Sequence, residues 1–250
     1  MSIVTFVKYQ GLGNDFILLD DRALQFQPSL IPHLCHRKFG IGADGVILVQ
    51  PSQSAHIRMR IFNPDGTEAA SCGNGLRCFV LYLRELGYMQ ELYRIEIGGK
   101  VVVARCVDGQ VAVDMGAVKD LRLHLQTECG MVHYAHTGVP HVVQFVDHVS
   151  SVDLSTLAPP LRHHPLFAPQ GANVNVAEVQ QREAVHVRTY ERGVEGETLA
   201  CGTGAMAVAA VARKLYGWNK AVSVHFPGGT LLIDGNWMIG PAEKVFSGQM

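Results

Sequence analysis

A short phrase, Cys-Gly-x-Gly, occurs twice in this chain, and it constrains the fold more than any other feature. The copies lie in SCGNGLRC (71–78) and ACGTGAMA (200–207), and their cysteines are 129 positions apart. A single copy is consistent with a tight turn before a helix. Two copies, placed alike in the two halves of the chain, indicate a duplicated chemical device.

Each copy of the phrase comes directly before a segment with helical periodicity. After Gly75, apolar residues recur at three- and four-residue spacing, and Gly87 is placed to end the helix in a left-handed conformation. Arg77 is expected to lie off the apolar face of this helix. After Gly204, the segment AMAVAAVARKLYG is apolar on all sides for two turns, which predicts a buried helix that stops at Gly217.

Most of the remaining chain has the composition of β-strands. Asp108-Gly109 and Gly228-Gly229 predict two hairpin turns. The two halves are expected to join near Met115–Leu123, and the fold class is predicted as α+β, with two similar pseudo-symmetric domains, each a set of mostly antiparallel strands wrapped around a central helix. The predicted strands are residues 3–9, 15–19, 45–50, 56–61, 100–107, 110–115, 141–146, 184–190, 222–226 and 230–233.

Charge and composition exclude several classes of partner. The 250 residues include 21 basic and 22 acidic side chains, so neither a nucleic-acid nor a membrane-surface partner is expected. The N-terminus lacks a secretory pattern, and the longest apolar run, Ala205–Ala212, is far shorter than the ~20 residues that span a bilayer. The six cysteines are expected to be thiols, and the protein is predicted to be cytoplasmic.

A cysteine just before the start of a helix lies where negative charge is stabilised. The first helical turn offers unpaired N–H groups and the positive end of the helix dipole, and both stabilise an anion. That anion is either the thiolate or a substrate carboxylate. A carbon held between two such turns loses a proton to one sulfur and regains one from the other on its opposite face, which inverts a stereocentre. The two thiols would titrate as a coupled pair.

Two rival sites are weaker interpretations of the same residues. A zinc site is disfavoured, and no metal is expected, because Cys72 and Cys78 point to different sides of a helix and the chain has no Cys-x-x-Cys pair. A phosphate-binding loop is disfavoured because neither phrase ends in Gly-Lys-Ser/Thr.

With these motifs, the chain resembles the diaminopimelate epimerase family nearly end to end. The matching segments are GLGNDF (11–16), GIGADG (40–45), FNPDGTEAASCGNGLRC (62–78), GVPH (138–141), GANVN (171–175), YERGVEGETLACGTG (190–204) and GPAEKVFSG (240–248). The resemblance implies an isomerase without a cofactor, which interconverts LL- and meso-diaminopimelate for lysine and peptidoglycan synthesis. It also implies a homodimer.

The same resemblance assigns roles to individual residues. Cys72 and Cys201 match the acid/base pair, and His141 and Glu191 match residues that adjust the thiol protonation states. The substrate contacts implied by the family pattern are Asn14, Asn63, Gly73, Asn74, Asn173, Glu191, Arg192, Gly202 and Thr203. The family fold implies an N-terminal domain of residues 1–116, with 239–250 returning to it, and a C-terminal domain of residues 117–238.

Two departures from the family pattern leave the substrate open. Some members have glutamine at the position of Gly45, and many have asparagine at that of Val139, so recognition of the distal end of the substrate is expected to be looser. A racemase for another amino acid, such as glutamate, stays an alternative. A non-racemising isomerase, an amino-acid-binding module and a pyridoxal phosphate racemase are further alternatives, each less consistent with the paired cysteines and their surroundings.

Overall fold

The structure, a computed structural model, describes residues 4–250 as an α+β fold. The strands are β1 (Thr5–Gly11), β2 (Asn14–Asp20), β3 (Gly45–Gln50), β4 (Ile57–Phe62), β5 (Glu68–Ala69), β6 (Tyr93–Ile97), β7 (Lys100–Val107), β8 (Gln110–Asp114), β9 (Lys119–Thr127), β10 (Gly130–His136), β11 (Pro140–Phe145), β12 (Asn173–Gln181), β13 (Ala184–Glu191), β14 (Gly196–Thr198), β15 (Val222–Phe226), β16 (Gly229–Asp234), β17 (Trp237–Gly240) and β18 (Glu243–Gln249). The α-helices are α1 (Ile31–Cys35), α2 (Gly73–Glu85), α3 (Leu154–Arg162) and α4 (Gly202–Tyr216).

The chain divides into two compact units. The first extends to Asp114 and includes Gly240–Met250, and the second covers Met115–Ile239. The predicted boundaries, 1–116 with 239–250 and 117–238, stay a prediction for independent domains, because compactness does not show that either part folds alone.

In the first unit, hydrogen bonding joins the strands in the order β18-β1-β2-β3-β4-β6-β7-β8. The β2–β3 and β4–β6 pairs are parallel and the others are antiparallel. The short strand β5 pairs with β4. α2 connects β5 to β6 and packs against β1, β2, β3 and β8, so it is the central helix of this unit.

The second unit repeats this topology. Its order is β9-β10-β11-β12-β13-β15-β16-β17, with parallel pairs β11–β12 and β13–β15, and β14 beside β13. α4 packs against β9, β10, β11, β12, β15 and β16. The place that β9 takes in this unit is taken in the first by β18, the last strand of the chain.

The two central helices confirm most of the periodicity argument. α2 begins at Gly73 and α4 at Gly202, each directly after its cysteine. Gly87 and Gly217 follow the helices with positive φ angles of 87° and 66°, the left-handed conformation that glycine adopts without strain. One expectation is wrong: Arg77 is completely buried instead of lying off the apolar face of α2.

Each predicted strand is present, with ends shifted by a residue or two for most; residue 3 of the first prediction lies outside the described residues. Asp108-Gly109 forms the β7–β8 turn as predicted. The second predicted turn, at Gly228-Gly229, is wrong by one residue. Phe226 pairs with Gly229, so the turn residues are Pro227 and Gly228. Within residues 4–250, no helix is long and apolar enough to cross a bilayer.

Candidate active-site residues in each unit

Cys72 is the N-cap of α2. Its backbone is extended, with φ −153° and ψ 113°, and its sulfur accepts a hydrogen bond from the backbone N–H of Gly75 at 3.4 Å. Its carbonyl accepts from the N–H of Leu76 at 2.9 Å, the first bond of the helix. The sulfur therefore lies at the positive end of the α2 dipole, where negative charge is stabilised.

Two predicted binding residues, Asn14 and Asn74, adjoin this thiol. The Cys72 thiol donates to Oδ1 of Asn14 at 3.8 Å, and Nδ2 of Asn74 donates to the same oxygen at 3.3 Å. Nδ2 of Asn14 in turn donates to the Asp44 carboxylate at 2.9 Å. These contacts fix the direction of the Asn14 amide, with its oxygen toward the thiol and its nitrogen toward the carboxylate.

The buried side chain of Arg77 donates hydrogen bonds to the start of α2 and to Pro241. Its guanidinium donates to Oδ1 of Asn74 at 3.1 Å, to the carbonyl of Gly73 at 3.5 Å and to the carbonyl of Pro241 at 3.0 Å. A Cβ atom on Gly11 would lie 3.2 Å from the guanidinium, so glycine leaves the space that this cation occupies. Burial lowers the pKa of Arg77, while the nearby Cys78 and Cys72 thiols oppose that effect.

The structure does not join every predicted residue of the first unit. Asn63 is exposed after β4, where its side chain donates to Oγ1 of Thr67 at 3.0 Å; among the described residues it makes no hydrogen bond to Cys72, Asn14 or Asn74. Gly45 begins β3, and a Cβ atom there would lie 2.6 Å from the carbonyl oxygen of Phe62. This backbone therefore has no space for a glutamine at position 45.

Cys201 has the equivalent place in the second unit, as the N-cap of α4. Its backbone is extended, with φ −128° and ψ 110°, and the N–H of Ala205 donates to its carbonyl at 2.9 Å. Its sulfur lies 3.5 Å from the hydroxyl of Thr203, whose carbonyl accepts from Thr137 at 3.0 Å. Gly202 is the first residue of the helix.

His141, Asn173 and Arg192 lie together because of strand register. His141 on β11 is the parallel partner of Asn173 on β12, and Oδ1 of Asn173 accepts from the backbone N–H of Arg192 at 2.7 Å. Nδ2 of Asn173 lies 3.5 Å from Nε2 of His141. Burial lowers the pKa of His141 to about 3, and the positive charges of Arg192 and His136 add to the effect, so the ring is neutral at physiological pH.

Glu191 ends β13, next to Arg192 in the chain. Burial raises the pKa of its carboxyl group, against a smaller opposing effect of the Thr198 hydroxyl. A carboxyl group with a raised pKa is closer to exchanging protons at neutral pH than an exposed one.

Two residues that support the site went unrecognised in the sequence. Periodicity predicts Arg77 off the apolar face of α2, whereas it is completely buried, and no motif singles out Asn175, which contacts His141. The spacing of Asn173 and Asn175, two apart on one strand, was the available signal, since such residues point to the same side of a sheet. Burial of a polar side chain depends on neighbours from distant segments, and periodicity does not report it.

Each unit therefore presents a cysteine at a helix N-terminus, with backbone N–H groups and polar side chains around it. The N–H groups at the start of α2 and of α4 suit a carboxylate. The two thiols are suited to proton transfer, and the second unit also holds the neutral His141 and the half-buried Glu191.

Known proteins resemble this chain over nearly its whole length. The family model described as diaminopimelate epimerase matches residues 6–121 and 133–245. A diaminopimelate epimerase of Archaeoglobus fulgidus is 43% identical over 98% of this chain and 95% of its own length, and that of Moorella thermoacetica is 42% identical over 97% and 98%.

Solved structures share the fold at low sequence identity. A phenazine biosynthesis protein of the PhzF family from Bacillus anthracis superimposes with a TM-score of 0.77 at 16% identity, covering 100% of this chain and 99% of that one. This similarity identifies the fold alone. The family-model match and the two relatives over nearly the whole chain confirm the resemblance drawn from the motifs: the chain belongs to the diaminopimelate epimerase family.

Proposed function

We propose that this protein interconverts LL- and meso-diaminopimelate by moving a proton at the α-carbon between two thiols. The thiolate of one cysteine, Cys72 or Cys201, removes the α-proton, and the electron pair spreads into the substrate carboxylate. The thiol of the other cysteine then gives its proton to the opposite face. The substrate ends inverted, and the two cysteines have exchanged protonation states.

One observation carries this proposal: a cysteine occupies the N-cap of the central helix in both units, in nearly the same backbone conformation. A reversible inversion requires two acid/base groups, because each direction uses the other group as its base, and a pair of cysteines meets this requirement. Thiols at helix N-termini provide the necessary thiolate, since the helix dipole and the N–H groups favour the anion. The reaction is proposed to need no cofactor.

The remaining predicted residues take binding roles in this proposal. The N–H groups of the Gly73–Asn74 and Gly202–Thr203 pairs hold the α-carboxylate as negative charge develops. Asn14 and Asn173 orient the amino acid, since an amide both donates and accepts, and Arg192 offers a planar fork for a carboxylate. Asn63 is proposed as a contact that forms only with substrate. His141 and Glu191 are proposed to adjust the thiol protonation states.

The setting of the enzyme follows from its thiols and its family. We infer a cytoplasmic location, because two reacting thiols must stay reduced and the cytosol keeps them so. A homodimer, and a place in lysine and peptidoglycan synthesis, belong to the same proposal.

The test is proton NMR of LL-diaminopimelate in D₂O with the reduced protein, after its absorbance spectrum has shown that no pyridoxal phosphate is bound. We expect the α-proton signal to fall while meso-diaminopimelate appears. Persistence of the α-proton signal would contradict the substrate assignment. A parallel incubation with L-glutamate tests the racemase alternative, which the tight backbone at Gly45 and the apolar Val139 keep open; loss of the glutamate α-proton at a comparable rate would favour it.

A further inference from the structure

The side chain of Asn175 connects His141 to its surroundings in the second unit. Asn175 on β12 is the antiparallel partner of Thr189 on β13 and the parallel partner of Val143 on β11. Its side chain, like those of His141 and Thr189, is completely buried. It makes three hydrogen bonds there: Nδ2 donates to the carbonyl of Val142 at 2.9 Å, Nδ2 lies 3.1 Å from Nδ1 of His141, and Oδ1 accepts from the Thr189 hydroxyl at 2.9 Å.

These contacts determine which atom of the amide faces the imidazole. The carbonyl of Val142 can only accept, so the atom beside it must be the NH₂ group. The same NH₂ group is the neighbour of Nδ1 of His141, and therefore Nδ1 must accept. A neutral imidazole that accepts at Nδ1 carries its proton on Nε2.

The other ring nitrogen faces a different environment. Nε2 of His141 lies 3.5 Å from Nδ2 of Asn173, which is also a donor, because Oδ1 of Asn173 is occupied by the N–H of Arg192. Within residues 4–250 no hydrogen-bond acceptor is found at Nε2, so in this tautomer the Nε2 proton is left without a partner in the protein alone.

We infer that Asn175 is a positioning residue that fixes His141 as the neutral tautomer with its proton on Nε2. His141 then acts as a hydrogen-bond donor toward negative charge in the site. This inference rests on the proposed function, because it takes His141 to be part of the reacting site. It also assigns Asn175 a role that the resemblance to the family did not.

The start of α4 also packs closely against the side-chain amide of Asn175. A Cβ atom on Gly204 would lie 2.5 Å from Oδ1 of Asn175 and 3.3 Å from the sulfur of Cys201. Asn175 therefore sits between the His141 ring and the helix turn that carries Cys201. The charged or titratable groups that act on His141 are Arg192 and His136, and both disfavour an imidazolium.

The tautomer can be measured directly in protein labelled with ¹⁵N-histidine. Long-range ¹H–¹⁵N spectra distinguish the two neutral tautomers and the imidazolium, and the His141→Gln variant identifies the His141 signal among the 12 histidines. We expect the wild-type ring to be neutral, with its proton on Nε2, throughout pH 5–8. A proton on Nδ1 in the wild-type protein would overturn the inference.

Asn175→Asp is the informative variant, because a carboxylate only accepts and so draws the proton to Nδ1. We expect Nδ1 to become protonated, a new ionisation to appear in the kcat/KM profile between pH 5 and 8, and kcat to fall about 100-fold with a much smaller change in KM. Thr189→Val is the matched control. It disturbs the same buried amide but leaves the bond from Nδ2 to His141, so the Nε2–H tautomer is expected to remain.

Identical His141 spectra in the wild type and in both variants would overturn the inference, as would the same tautomer change in both variants. Failure of the proposed function gives a different result. In that case the wild-type protein does not epimerise LL-diaminopimelate, whereas the tautomer and its response to Asn175→Asp are still observed.

Discussion

The start of α2 and the start of α4 have similar backbone conformations and different neighbours. Each follows an extended cysteine, and each has glycine at the first and third helical positions. The fifth residue after Cys72 is Arg77, and the fifth after Cys201 is Met206; both are buried. The helix that follows Cys72 therefore contains a buried cation, Arg77. The helix that follows Cys201 has an apolar residue at that position, and its unit contains the neutral His141. The shared backbone provides the reactive group, and the differing neighbours set its electrostatic surroundings.

The largest effect is expected from removing either thiol. Cys72→Ala and Cys201→Ala should each lower kcat for epimerisation by at least about 1,000-fold, because the loss of one acid/base group leaves one face of the carbon without a proton donor. Cys129→Ala, which changes a half-buried cysteine with no proposed role, is the control and should stay within a few-fold of the wild type. If one of the two cysteine variants kept near-normal turnover, the equivalence of the two units would be wrong.

Arg77→Met tests the difference between the two helices. Methionine is the residue that α4 has at this place, but in α2 it would leave the carbonyls of Gly73 and Pro241 and the oxygen of Asn74 without their donor. We expect a loss of about 2–4 kcal/mol in the free energy of unfolding, measured with urea. Met206→Leu, a change of similar volume in α4, should cost less than about 1.5 kcal/mol. Equal losses would show that the guanidinium is not a structural requirement of the first unit.

The third glycine of the phrase should respond differently in the two units. A Cβ atom on Gly75 would lie 3.1 Å from the terminal methyls of Ile47 and Ile61, which can shift. On Gly204 it would meet the amide of Asn175, which three hydrogen bonds hold. Gly204→Ala should therefore destabilise the protein by about 1–3 kcal/mol, and Gly75→Ala by less. Thermal unfolding of both variants under the same conditions compares them, and the reverse order would count against the rigid amide.

The smallest expected effect is the loss of stability in acid that comes from His141. Because the pKa of His141 is lowered to about 3 in the folded protein, the unfolded chain binds more protons than the folded one between pH 3 and about 6.5. The contribution of His141 to stability is complete above pH 6.5, and it falls by roughly 1 kcal/mol for each pH unit between about 6.5 and 3. Urea unfolding at pH 7.0 and 5.5 should show a smaller acid-induced loss in His141→Gln than in the wild type. An identical loss in both proteins would exclude His141 as its source.

Local sequence patterns predicted the elements whose own residues determine them. β3 and β15 are rich in β-branched residues, and α2 and α4 have helical periodicity that ends at a glycine. Among the elements that the patterns missed are α3, which contains Pro159 and Pro160 near its C-terminal end, and β12, whose Asn173 and Asn175 are polar residues in the buried first half of a strand. Both depend on tertiary partners: α3 packs against β12 and β13, and the two asparagines find their hydrogen bonds on neighbouring strands.

The residues of the candidate site also divide into those that local sequence identifies and those that depend on tertiary partners. The two cysteines could be identified because a repeated phrase marks them, and the resemblance to the family supplied His141 and Asn173. Arg77 and Asn175 could not be identified from periodicity, since a polar residue becomes buried only where distant segments supply its partners. For Arg77 those partners include Pro241, 164 positions away in the chain.

The most direct test of the two-thiol account is the early time course of epimerisation in D₂O, followed by NMR and mass spectrometry on both diastereomers. With one cysteine as base and the other as acid, the meso-diaminopimelate formed from LL-diaminopimelate should carry deuterium at the inverted carbon, while the remaining LL-diaminopimelate carries almost none. Deuterium that enters the remaining LL-diaminopimelate as fast as the product, or a product that retains the original proton, would show that one group serves both faces and would contradict the account.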